Sequence, residues 1–172
     1  ILVHPNRYRA GQEAVDYYAP EVLLLDDGFQ HRRLKRDLDI VLINAEDPFG
    51  EGTLLPAGNL REPAHELRRA GLAIITHSDR VDEERLKELY VEITALAPKI
   101  DILEAAHKPD CLFDLKEDAK RRLAHIKGKR IACLSAIGHP EGFEDLLRKC
   151  GAHLVQAWRY PDHHPFTQAE MR

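Results

Sequence analysis

The chain has 172 residues, 44% of them hydrophobic, with 25 Lys+Arg against 29 Asp+Glu and a formal net charge of -4. That length suits one large or two small domains with a sizeable core, and the dense short runs of Val, Ile and Leu exclude low-complexity disorder. The apolar runs fall far short of the roughly 20 residues that cross a bilayer, and the acidic excess excludes a dedicated nucleic-acid binder. Cys111, Cys133 and Cys150 are odd in number and widely spaced. They offer neither a disulfide framework nor a CxxC metal knuckle, and read as reduced thiols of a cytosolic protein. No signal peptide is visible. The only methionine is Met171 and residue 1 is Ile, so the chain is expected to be an internal piece of a longer protein.

In chain order, residues 11–18 predict a first helix. The apolar run 22–25 predicts a strand buried on both faces, as do 39–43, 72–76, 130–134 and 153–158. Residues 44–63 hold three prolines and three glycines with little periodicity, which predicts a long loop that is either functional or disordered. Residues 82–97 place Leu86, Leu89, Tyr90, Ile93, Leu96 and Ala97 on one helical face. Asp82 is the expected N-cap, with Glu83 and Glu84 in the first turn. Residues 141–149 repeat the pattern with Phe143, Leu146 and Leu147, and Gly151 is the expected stop. Strands alternating with helices predict an α/β fold with a largely parallel sheet. The periodicity weakens over 108–127, read as a linker between a unit at 1–107 and a smaller α/β unit at 128–172.

Three constellations carry candidate chemistry. In the first, the run 22–25 feeds Asp26 and Asp27 at the expected carboxyl end of a buried strand, where open α/β sheets bind ligands. Carboxylates there suit Mg²⁺, Gly28 permits a sharp turn, and His31 follows into the same crevice; the bland alternative is a solvated Asp-Gly turn. In the second, the loop 48–63 ends in Arg61 and Glu62 before a helix. Arg61 offers a fork for phosphate or carboxylate and Glu62 an acceptor for sugar hydroxyls, against the alternative of a surface ion pair. In the third, Tyr160, Pro161, Asp162, His163, His164, Pro165 and Phe166 follow the last strand. A histidine beside a carboxylate suits proton transfer or metal binding. Arg32, Arg33, Lys35 and Arg36 form a basic cluster, either a solvated face or an attractor for an anionic surface. Residues 135–140 lead from a strand into a helix and read as a simple turn.

Together these motifs resemble the tetraacyldisaccharide 4′-kinase family of Gram-negative lipid A biosynthesis. The matching stretches are DDGFQH at 26–31, LPAG at 55–58, LREP at 60–63, SAIG at 135–138 and PDHH at 161–164. The resemblance implies a P-loop-kinase-like parallel sheet, present in part, with a second, smaller α/β domain. Residues 1–107 would be the C-terminal part of the nucleotide-binding domain and 128–172 the start of the smaller one. It further implies transfer of the ATP γ-phosphate to the 4′-hydroxyl of tetraacyldisaccharide 1-phosphate, with ATP and Mg²⁺ as cofactors. Asp26 and Asp27 would lie in the Mg²⁺-ATP region, and Arg7, His31, Arg61 and Glu62 on the disaccharide and phosphate side. His163 would belong to the catalytic histidine–carboxylate pair, with Asp162 beside it as a further catalytic candidate. The enzyme would work peripherally at the cytoplasmic face of the inner membrane on an acylated glucosamine disaccharide 1-phosphate.

The family's G-x-x-x-x-G-K-[ST] loop and the acidic partner of its histidine are absent from the chain and are expected before Ile1, so the piece by itself is expected to be inactive. Asn59 and His139 stand where the family often has Pro and Asn. Two other classes compete. A metal-dependent DHH-type phosphoesterase would gather Asp26, Asp27, Asp162, His163 and His164 around metals. In a non-catalytic α/β binding domain the motifs would be turns only.

Overall fold

The computed structural model describes residues 1–167. The chain is α/β with parallel sheets and divides into two compact units, Ile1–His107 and Lys108–Arg172.

In the first unit, helix α1 spans Arg7–Tyr18, starting four residues earlier than the sequence suggests. Asn6 accounts for the earlier start: its side chain accepts from the Tyr8 and Arg9 amides, satisfying two donors of the first turn. Strands β1 (Ile40–Asn44) and β2 (Leu72–Thr76) pair in parallel, and β3 (Asp101–Ala105) adds to β2 in parallel. Helix α2 (Glu83–Leu96) carries the crossover from β2 to β3 and begins at Asp82, whose carboxylate accepts from the Arg85 amide at 2.8 Å. Its stripe Leu89 and Ile93 is fully buried and packs with Ile43, Ala73 and Ile75 of the sheet and Leu67 of the 3-10 segment Ala64–Arg69.

Two expectations fail here. Residues 22–25 form no strand, and Val22, Leu23 and Leu24 are exposed. Strand propensity is local, but a ladder needs a neighbour, and β1 pairs only with β2 among the described residues. Nor is the sheet buried on both faces. Leu42 is 68% exposed and Leu103 55%, and with Ile74 between them they share the face opposite α2. Strand β3 was not anticipated, because its apolar Ile102 and Leu103 are flanked by Asp101 and Glu104.

In the second unit, residues 108–127 hold an antiparallel pair, β4 (Leu112–Asp114) with β5 (Ala119–Arg121), and a 3-10 turn at Leu123–Ile126. Strand β6 (Arg130–Ser135), helix α3 (Pro140–Lys149) and strand β7 (His153–Arg159) then form a parallel βαβ element. Gly151 follows α3 at φ +84°, the left-handed geometry that glycine adopts without strain. Against β7, α3 buries Glu144 rather than only apolar groups. Its carboxylate accepts from Arg159 Nε at 2.7 Å and Nη2 at 3.2 Å, and from Arg148 Nη2 at 3.3 Å. The Arg159 hydrogen bonds hold the Glu144 carboxyl below its ordinary range, against the opposing effect of burial.

Candidate functional site in the first unit

The sequence places Asp26 and Asp27 in a turn that the fold makes tight. Asp27 takes the left-handed conformation at φ +48°, a role expected of Gly28. Gly28 is required for a different reason: it is buried, and a Cβ there would stand 2.6 Å from Leu25 Cγ. The His31 amide donates to the Gly28 carbonyl at 2.9 Å and closes the turn.

Onto this turn comes the loop that leaves the carboxyl end of β1. Leu54 bridges Leu60, and the Gly58 amide donates to the Leu54 carbonyl at 3.0 Å. Only glycine fits at 58, because a Cβ would overlap Thr53 Oγ1 and the Thr53 carbonyl. The loop so folded delivers Arg61, whose Nη1 donates to both Asp27 carboxylate oxygens at 2.7 and 2.6 Å. From the first turn of α1, Arg7 donates to the Asp27 backbone carbonyl at 3.1 Å. Arg7, Asp27 and Arg61, three residues singled out in the sequence from three separate segments, therefore meet. The Arg61 hydrogen bond and charge, aided by Arg7, hold the Asp27 carboxyl below the ordinary carboxylate range, and Asp27 in turn raises Arg61. Both side chains are more than half exposed, so the pair is open to a ligand rather than a buried strut.

A divalent cation at Asp27 would have to displace the Arg61 guanidinium from both oxygens. Asp26 is exposed beside it. Mg²⁺ is held by one or two carboxylates together with waters and phosphate oxygens, and Asp26 meets that modest requirement. Among the described residues no group of three or more His, Cys, Asp or Glu side chains gathers as a metal cage.

Glu62 is more enclosed. It pairs with Arg69, and its other oxygen lies 3.4 Å from Arg32. Arg32 and Arg69 also bind Glu66, each at 2.7 Å. Burial pushes the Glu66 carboxyl up, and the Arg69 hydrogen bond with the charges of Arg32, Arg69 and Arg68 outweighs it. The basic cluster is thus only partly a free face. Arg36 is tied to Asp39 at 2.6 and 3.1 Å and to the carbonyls of His31 and Leu34 at 2.6 and 3.0 Å. Arg69 and Glu66 were missed in the sequence, where an Arg-Arg pair closing a short polar segment stands out by no motif; their i, i+3 spacing was the available signal.

In the second unit, Asp162 and His163 follow β7 after Tyr160, whose amide donates to the Ser135 carbonyl at 2.8 Å. His163 takes φ +57° and donates its amide to the Ala136 carbonyl at 3.2 Å. Its Nε2 lies 3.9 Å from Asp162 Oδ2, an ion-pair separation beyond hydrogen-bond reach, and the imidazole is almost fully exposed. His164 has a different part: it stacks on Tyr160 at 4.8 Å and meets Phe166 edge-on at 5.2 Å. Asp162 also lies beside Gly138, so the SAIG turn and the PDHH segment adjoin.

Comparison with known proteins agrees in extent. The family described as tetraacyldisaccharide-1-P 4′-kinase matches residues 1–172. A tetraacyldisaccharide 4′-kinase of Elusimicrobium minutum is 46% identical over 172 residues, covering 100% of this chain and 46% of that protein. One from Anaeromyxobacter dehalogenans strain 2CP-C is 42% identical over 174 residues, covering 99% of this chain and 45% of its own length. The crystal structure described as an "apo" form of LpxK from Aquifex aeolicus in complex with ATP superposes with a TM-score of 0.68. It is 32% identical, and the match covers 94% of this chain and 48% of that one. The chain thus spans about half the length of the relatives it matches.

Proposed function

The chain belongs to the tetraacyldisaccharide-1-P 4′-kinase family, and from that membership we propose that the protein containing it transfers the γ-phosphate of ATP to the 4′-hydroxyl of tetraacyldisaccharide 1-phosphate. The observation that carries the reading beyond membership is the meeting of Arg7, Asp27 and Arg61 beside the exposed Asp26. Phosphoryl transfer needs chiefly positioning and neutralisation of charge. Arg61 supplies a guanidinium already aimed by Asp27, able to turn from that carboxylate to a phosphate oxygen. Asp26 would hold Mg²⁺, which when bound neutralises phosphate charge and orients the transferring group.

In the reaction the sugar 4′-oxygen forms the new bond to the γ-phosphorus, the bond to the β–γ bridging oxygen breaks, and ADP leaves. The hydroxyl proton passes to His163, whose Nε2 has the Asp162 carboxylate 3.9 Å away. His31 and Glu62 face the disaccharide, Glu62 through the oxygen not taken by Arg69. Residues 1–107 serve as part of the nucleotide-binding domain and 128–172 as part of the smaller one. Among the described residues no helix is long and apolar enough to cross a membrane. An acylated substrate is consistent with peripheral contact at the cytoplasmic face of the inner membrane. No observation favours the phosphoesterase or the non-catalytic reading.

The test is transfer of labelled γ-phosphate from ATP to the disaccharide 1-phosphate by the complete parent protein. Mg²⁺-dependent transfer that drops at least about a hundredfold in His163→Ala is expected for a general base. A folded parent that transfers nothing contradicts the assignment.

A further inference from the structure

Arg69 belongs to none of the recognised motifs, yet it joins two of them. It closes the 3-10 segment Ala64–Arg69, and its side chain is only 23% exposed. Three directions of its fork are occupied. Nη1 donates to the Phe29 carbonyl at 3.1 Å, Nη2 pairs with Glu62, and Nε donates to Glu66 Oε2 at 2.7 Å. Its face also lies over the Phe29 ring, 4.1 Å from the centroid. Phe29 is the middle of DDGFQH, and Glu62 is the acid of LREP.

We propose that Arg69 is a positioning residue for the kinase reaction, locking the 28–31 turn and Glu62 into one arrangement on the disaccharide side. The inference rests on the kinase reading above. Its physical basis is the rigidity of the contact set. The Phe29 carbonyl is two residues before His31 and two after Asp27, and the Arg69 hydrogen bond ties it to the segment that follows Glu62. The ring stack fixes the same residue from a second side. Glu62 is gripped by Arg69 on one oxygen and approached by the more exposed Arg32 on the other, so Arg69 decides which oxygen is left for a hydroxyl. A lysine keeps the charge but offers a compact ammonium that cannot reach a carbonyl, two carboxylates and a ring face together. Charge alone would therefore preserve the fold's ion pairs in part and lose the alignment.

The experiment uses the complete parent protein as wild type, Arg69→Lys, Glu62→Gln and the double variant. Thermal midpoint and the kcat and KM for each substrate are measured, the latter with ATP and the disaccharide 1-phosphate as probes. Arg69→Lys is expected to melt within a few degrees of wild type yet lose on the order of tenfold in kcat/KM for the disaccharide, with the KM for ATP nearly unchanged. The double variant is expected to be no worse than the poorer single one, because both break one contact. Full activity in Arg69→Lys, or losses that simply multiply in the double variant, overturns the inference. A loss of activity explained entirely by a lowered melting point overturns it as well. Absence of transfer by folded wild type is a separate result: it overturns the kinase reading and this inference with it, whereas failure of the inference alone appears only in the variants.

Discussion

Asp27 and Arg61 are 34 residues apart, and the fold makes them one unit. Because the Arg61 hydrogen bond and charge lower the Asp27 carboxyl, the pair is expected to stay ionised well into acid, below where an ordinary aspartate is protonated. The Asp27 carboxyl resonance followed by NMR against pH checks this, and Arg61→Gln should move its titration upward. His77 behaves in the opposite sense. Burial first, then the charges of Arg80 and His107, lower it from its ordinary value of 6.5. The native state therefore binds fewer protons than the unfolded chain, and its stability falls as pH drops below about 6.5 toward the lower folded value. Denaturation midpoints measured across that range should fall less steeply in His77→Gln than in wild type. At this scale Asp26, Asp27, Arg61, Glu62 and His163 could be singled out as candidates because ionisable residues stand beside turn-forming glycines and prolines. Arg69 and Glu66 could not, since what reaches them, Phe29 and Arg32, lies 40 and 34 residues away.

The elements follow their sequence signals wherever one segment suffices to define them. Asp82 caps α2 as its position predicts, and the Leu89 and Ile93 stripe is fully buried. Leu89→Ala is expected to cost about 2–5 kcal/mol in urea denaturation, whereas Val91→Ala, at a site 70% exposed on the same helix, should stay within about 0.5 kcal/mol. Strands β1, β2, β6 and β7 were legible from their nearly continuous apolar runs. The run 22–25 carries the same signal and forms no ladder among the described residues, while β3, with charged residues around Ile102 and Leu103, is a full member of the sheet. Pairing is a property of two segments, and a run read by itself contains only half of it.

Both units leave large apolar side chains open, and they differ in where they hold charge. In the first, Val22, Leu24, Leu42 and Leu103 are exposed while ion pairs cluster around Glu62 and Glu66. The 172-residue chain by itself is therefore expected to bind a hydrophobic dye and to self-associate, and Leu42→Lys should weaken both in dye fluorescence and light scattering. In the second, the buried Glu144 depends on Arg159, so Arg159→Met should lower the melting temperature by leaving that carboxylate short of donors. The α/β class was legible in the alternation of strands and helices, and the family in short motifs that follow in order. The joining of those motifs through Arg61 and Asp27 required the folded loop.

Handling of the phosphate by this joined cluster is best probed by steady-state phosphoryl transfer in the complete parent protein carrying Arg61→Lys. Replacing a forked guanidinium by a point charge should lower kcat/KM by roughly tenfold or more while the protein remains folded. Transfer at the wild-type rate in that variant would contradict the account.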